Sequence, residues 1–199
     1  GLRQNQEMLE ENDELQPISL YSETKVNSEK ILLNELSELP VVVLRASTAY
    51  GMASRIRFDL LLHQFIFEAW EKKRINLFGA NSWRPMVHVD DIARAIVLTL
   101  TKNEKIKSKD VFNVGSNDQN FKKIELAKIV SERLNVGIME TESHKDPRDY
   151  RVSFDKITSE LDFHTIHRPQ ESVEQIVTAL ENGLINDRIL HESVNIKSE

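Results

Sequence analysis

The chain has 199 residues, 40% of them hydrophobic, and a formal charge of −6 at pH 7, which fits a soluble globular protein of one packed domain with a smaller appendage. With no cysteine, disulfides, thiol catalysis and cysteine-ligated zinc or iron–sulfur sites are excluded, in keeping with a cytoplasmic setting. The longest apolar run, around DLLLHQFIFEAW, is interrupted by His63, Gln64 and Glu68, no signal peptide opens the chain, and Lys and Arg are scattered, so neither a membrane nor a nucleic acid is expected as a partner.

Residues 1–17 carry five acids and one arginine without an apolar period and read as a solvated loop ended by Pro17. A helix is expected from about Ser19, with Val26, Leu33 and Leu36 near one stripe, stopping around Leu39-Pro40. PVVVLRAST follows, a β-branched run suited to a parallel strand buried on both faces. Phe58 to Lys73 reads as an apolar helix closed by basic residues, and RINLFG and RPMVHV as short strands around the turn GANSW. Asp90 is the expected N-cap of the helix DIARAIVLTL, and Asn120 that of a helix carrying Ile124, Ala127, Val130 and Leu134. DVFNVGS reads as a strand between them. The last third is less regular, with a strand-to-helix junction in RDYRVSFDKI and an amphipathic helix in SVEQIVTALENGL that ends near Gly183. Helices alternating with buried strands indicate an α/β sheet.

Tyr21 and Lys25 stand four residues apart at the start of the first helix and therefore share a face. A nearby ammonium favours phenolate, which is a route to a general acid/base; the same spacing also occurs in plain surface pairs. His88 with Asp90 and Asp91 raises a metal site, but a capping role for Asp90 and a strand position for His88 explain these residues without one, and no metal is expected. His164 and His167 read as part of a solvated loop, and Glu29, one turn beyond Lys25, as an ion-pair or subunit contact.

The stretches YSETKVNSEK, VVVLRASTAYG, RIRFDLLL, LFGANSWRPMVHVDDIARAI and FNVGS, in that order from roughly Pro17 to Leu161, resemble the extended short-chain dehydrogenases/reductases, specifically the NAD-dependent epimerase/dehydratase family acting on nucleotide sugars. The resemblance implies that Tyr21 is the catalytic acid/base and that Lys25 binds the nicotinamide ribose and lowers the tyrosine pKa. Ser47 and Thr48 are implied as contacts beside the nicotinamide and the sugar. Arg84 matches the family arginine that grips the substrate diphosphate, with a salt bridge to Asp90 or Asp91 as the other reading, and Arg148 resembles a later arginine that approaches phosphate. His63 falls near a position where relatives often carry a nucleotide-contacting asparagine. The implied partners are a nucleotide-diphosphate sugar and a second copy of the chain, docked through the Tyr21 helix and the apolar helix at Phe58 to Trp70.

Such an enzyme needs a glycine-rich turn to admit the cofactor pyrophosphate. The six glycines, Gly1, Gly51, Gly79, Gly115, Gly137 and Gly183, are not spaced to make one. Gly1 stands 20 residues before Tyr21, where relatives carry a YG pair just after the catalytic serine or threonine. The expected fold is thus α/β, the C-terminal part of a Rossmann-type extended short-chain dehydrogenase/reductase with a small α/β substrate-binding domain and the N-terminal glycine-rich half absent. Residues 1–50 are assigned to the later part of the dinucleotide-binding domain and 51–199 mainly to the substrate-binding domain, with segments around 84–115 returning to the Rossmann sheet. The expected function is that of an NAD-dependent epimerase/dehydratase present as an inactive fragment. Epimerase, dehydratase, reductase and decarboxylase are not separable here, nor is NAD from NADP. The alternative is a non-catalytic nucleotide-sugar-binding or assembly module.

Overall fold

The computed structural model describes residues 8–36, 38–102, 106–141, 148–186 and 189. Gly1, on which the expected position of the missing serine rests, lies outside them. Helix α1 (Leu20–Lys30) starts as expected: the Ser19 side chain accepts from the Ser22 N–H and the Ser22 hydroxyl reaches back to the Ser19 backbone, a reciprocal cap. It runs on as a π-helical turn, Ile31–Glu35. Strand β1 (Val42–Ala46) pairs in parallel with β5 (Asp110–Val114), from Val42↔Asp110 to Ala46↔Val114. It is half-buried rather than buried on both faces, and β5 is its one strand neighbour among the described residues.

Past Ser47 the chain changes sheets. Strand β2 (Thr48–Tyr50) runs parallel to β4 (Trp83–His88), which pairs antiparallel with β6 (Asn120–Lys122). Strand β3 (Arg74–Phe78) pairs in parallel with β7 (Gly137–Thr141). The helices are α2 (Leu61–Lys72), α3 (Val89–Thr101), α4 (Lys123–Leu134), α5 (Asp155–Leu161) and α6 (Pro169–Glu181). None of the described helices is long and apolar enough to cross a membrane.

Two apolar cores result. Leu62, Phe65 and Ile66 of α2 meet Leu126 and Val130 of α4 and Val173 and Ile176 of α6 over β3. Phe112 and Val114 of β5 meet Ala95 of α3 and Ile157 and Leu161 of α5. Strand β4 stands between them and obeys the alternation of a strand: Met86 enters the first core and Val87 the second.

Several expectations are corrected. Helix α2 starts at Leu61, and Leu62, Phe65, Ile66 and Ala69 are buried in this chain's own core, with Leu61, Phe67 and Trp70 partly buried. Helix α3 is capped by His88, whose side chain accepts from the Asp90 N–H, so Asp90 sits in the first turn. Asn120 belongs to β6, and α4 begins after Lys122. The segment before Pro17 is not simply solvated. Leu9 bridges Val152, donates to the Arg151 carbonyl and accepts from the Ser153 N–H, and Glu11 Oε1 accepts from the Asn113 N–H at 2.8 Å.

Candidate functional site

Tyr21 lies on the first turn of α1 and is 72% exposed, and the Lys25 ammonium lies 5.6 Å from its ring centroid. The four-residue spacing therefore does stack cation and phenol on one face. Tyr21 opens onto a cavity of about 480 Å³ whose wall also holds Thr48 of β2, Asp59, Arg84 of β4, Lys123 of α4 and Arg148. Elements far apart in sequence thus bring a tyrosine, a hydroxyl and three cations to one space.

Arg84 is 6% exposed, and its Nη1 donates to the Trp83 carbonyl at 2.8 Å. The salt bridge to Asp91 weighed for it is not how Asp91 is used. That carboxylate, fully buried, accepts from Arg94 Nη1 at 2.7 Å and from the N–H groups of Ile166 and His167. Arg148 is exposed at the cavity rim. A guanidinium fork can meet two phosphate oxygens at once and keeps its charge when desolvated.

His63 does not line this cavity. It is 3% exposed, its Nε2 accepts from the Gly51 N–H at 3.1 Å, and its Nδ1 lies 2.9 Å from the Arg57 carbonyl. That geometry is satisfied by the Nδ1–H tautomer, and burial pushes the ring pKa below its usual value. His63 fastens the turn before α2 instead of facing a ligand. Ser47 lines a smaller neighbouring cavity of about 230 Å³, together with Arg45 and Asn113; Tyr150 borders both spaces.

Three contributors escaped the sequence reading. Lys123 reads as an exposed helix start in FKKIEL, yet it is 8% exposed and its ammonium donates to the Phe78 carbonyl. Asp59 is held by Arg57, whose Nε and Nη2 donate to it at 3.0 and 2.6 Å. Asp59 keeps the Arg57 guanidinium above its ordinary pKa, and Arg57 is close enough to Tyr21 for the two to interact electrostatically.

His88, Asp90 and His167 place their ligating atoms within 4.8 Å of one another. His167, expected in a solvated loop, stacks on His88 with ring centroids 4.2 Å apart and planes 27° from parallel. The His88 Nδ1 lone pair is engaged by the Asp90 N–H at 3.1 Å, and stacked rings do not aim their lone pairs at a common centre. The cluster closes the N-terminus of α3. Below it, Tyr50 is fully buried with its hydroxyl donating to Gln119 Oε1 at 2.8 Å, and burial, reinforced by Asp91, pushes its phenol far above the usual range. Tyr50 is thereby a core residue and no proton carrier at neutral pH.

Comparison with known proteins places this architecture. The model of the NAD dependent epimerase/dehydratase family matches residues 2–115. An uncharacterised UDP-glucose epimerase of Bacillus subtilis is 30% identical over 115 residues, covering 56% of this chain and 35% of that protein. The dTDP-L-rhamnose 4-epimerase of Burkholderia thailandensis is 31% identical over 123 residues, covering 59% and 33%. The dTDP-glucose 4,6-dehydratase of Bacillus anthracis, solved with NAD, superposes with a TM-score of 0.77 at 23% identity over 94% of this chain and 60% of that one. The UDP-glucuronic acid 4-epimerase of Bacillus cereus, solved with UDP-glucuronic acid and NAD, gives 0.76 at 21% identity over 89% and 57%. These likenesses show the fold to be that of a Rossmann-type extended short-chain dehydrogenase/reductase, in part. The matched stretches span about a third of the curated relatives' length.

Proposed function

Because the chain belongs to the NAD dependent epimerase/dehydratase family, we propose that it supplies the substrate cavity and the Tyr–Lys pair of an NAD- or NADP-dependent enzyme acting on nucleotide-diphosphate sugars. The observation that carries this reading is the single cavity shared by Tyr21, Thr48, Arg84 and Arg148. Arg84 and Arg148 neutralise and orient the diphosphate, Thr48 offers a hydroxyl to the sugar, and Tyr21 takes the proton of the sugar hydroxyl at its phenolic oxygen. Lys25 lies against the Tyr21 ring on the same face of α1 and would hold the nicotinamide ribose. A bound nicotinamide would supply hydride acceptance at the sugar carbon. Tyr21 and Lys25 would hold the cofactor at its nicotinamide end, and Ser47, on the neighbouring cavity, would approach it. The six glycines of the sequence are not spaced as a glycine-rich turn for the pyrophosphate, so this reading places that cradle on residues beyond this chain.

The division near residue 50 belongs to the same proposal, with β1 and β5 on the cofactor side and the first core under the substrate. A homodimer would form through α1, which exposes Leu20, followed by Ile31, Leu32 and Leu36. The second reading, a non-catalytic nucleotide-sugar-binding module, draws on the absent glycine-rich turn. Joining this chain to a glycine-rich half separates the two. The enzyme reading expects turnover of nucleotide-diphosphate sugars that Tyr21→Phe abolishes while NAD binding persists; turnover retained in Tyr21→Phe contradicts the acid/base role, and binding without any turnover supports the module.

A further inference from the structure

We infer that Glu29 and Arg45 are positioning residues for the Tyr21–Lys25 pair, an inference that rests on the reading of Tyr21 as acid/base. Tyr21, Lys25 and Glu29 recur at four-residue spacing along α1 and share a face. Helix α1 buries no side chain, so apolar packing does not fix where it sits along its own axis. Glu29 does. Its side chain is 13% exposed, and its two carboxylate oxygens accept from Arg45 Nε at 2.9 Å and Nη2 at 2.6 Å. This two-pronged contact fixes orientation as well as distance.

The third arm of the same guanidinium, Arg45 Nη1, donates to the Glu11 carbonyl at 2.9 Å, and the Glu11 carboxylate accepts from the Asn113 N–H of β5. One arginine thereby ties α1, strand β1 and the segment that leads into α1. Strand β1 passes through Ser47 directly into Thr48, which lies on the cavity wall. Strand β1, which anchors Glu29 through Arg45, thus leads directly into the β2 residue Thr48 on the same cavity wall as Tyr21. Tyr21 lies about 12 Å up the helix from Glu29 at the rise of an α-helix, so a slip or roll at Glu29 is carried to the phenol. A displacement of about 1 Å is enough to lower a rate by about a hundredfold.

The test uses Glu29→Gln, Arg45→Lys and the doubly exchanged Glu29→Arg/Arg45→Glu. In this chain, amide exchange across residues 20–30 is expected to quicken about tenfold in both single variants, because a bidentate charged contact is lost, and to recover in the double exchange. Unchanged exchange in the single variants overturns the inference. In the chain joined to a glycine-rich half, kcat is expected to fall about tenfold or more with the KM for a nucleotide sugar within about twofold, since Arg84 and Arg148 are not on α1. A parallel loss in kcat and KM, or no loss, also overturns it. No turnover in the unsubstituted joined protein, with the exchange response intact, overturns the catalytic reading instead and leaves the anchoring of α1 standing.

Discussion

Gly51 carries a φ of +114°, and a Cβ there would come within 2.3 Å of His88 Nε2. The sequence shows only a glycine after a tyrosine; the reason for it is a ring from another strand. Gly51→Ala is expected to destabilise the fold by about 3 kcal/mol, from backbone strain together with overpacking, measured as the loss of unfolding free energy in denaturant. His63 donates to and accepts from backbone on either side of the same turn, and His63→Ala should cost about 2 kcal/mol by leaving a buried N–H unpaired. Both His63 and His88 have pKa values held below the ordinary imidazole value, chiefly by burial. In the window between the depressed folded values and about 6.5, the unfolded chain binds more protons than the folded one. Stability is therefore full above about pH 6.5 and falls as pH drops through that window. A His63→Gln variant should show a shallower acid limb in unfolding free energy against pH.

At the scale of elements, α1, α3 and α6 were legible because their signals are local: an apolar period along the segment and, for α6, a glycine after the end. Gly183, with φ +68°, donates to the Leu180 carbonyl, and the N–H groups of Leu184 and Ile185 reach Ala179, the closing turn its position announces. Strands β2, β6 and β7 were missed. The first two are three residues long and β7 begins at a glycine and is mostly exposed, so their pairing is set by partners distant in sequence and not by their own pattern. Asp91 shows the same non-local logic. Its buried carboxylate holds the Ile166 and His167 N–H groups as well as Arg94, joining α3 to the segment that enters α6. Asp91→Ala should lower stability by about 3 kcal/mol by stranding these groups, and Asp91→Asn by less, as read by thermal unfolding.

Across the whole molecule, the cavity was legible in its types but not in its membership. Tyr21, Lys25, Thr48, Arg84 and Arg148 were found because they sit in motifs, and the fold brings four of them to one wall with Lys25 behind. Lys123 and Asp59 join it through contacts that no spacing reveals, while His63, matched by position alone, is turned into the backbone. The role proposed for this wall is to grip the diphosphate of a nucleotide sugar. The most direct measurement is a calorimetric titration of the chain with UDP and dTDP, beside uridine and thymidine, repeated in Arg84→Ala. At least one diphosphate is expected to bind while its nucleoside does so much more weakly, affinity is expected to fall with salt, and Arg84→Ala is expected to weaken the diphosphate about tenfold or more with the fold intact. Equal affinity for nucleoside and diphosphate, or a diphosphate affinity untouched by Arg84→Ala, would contradict that role.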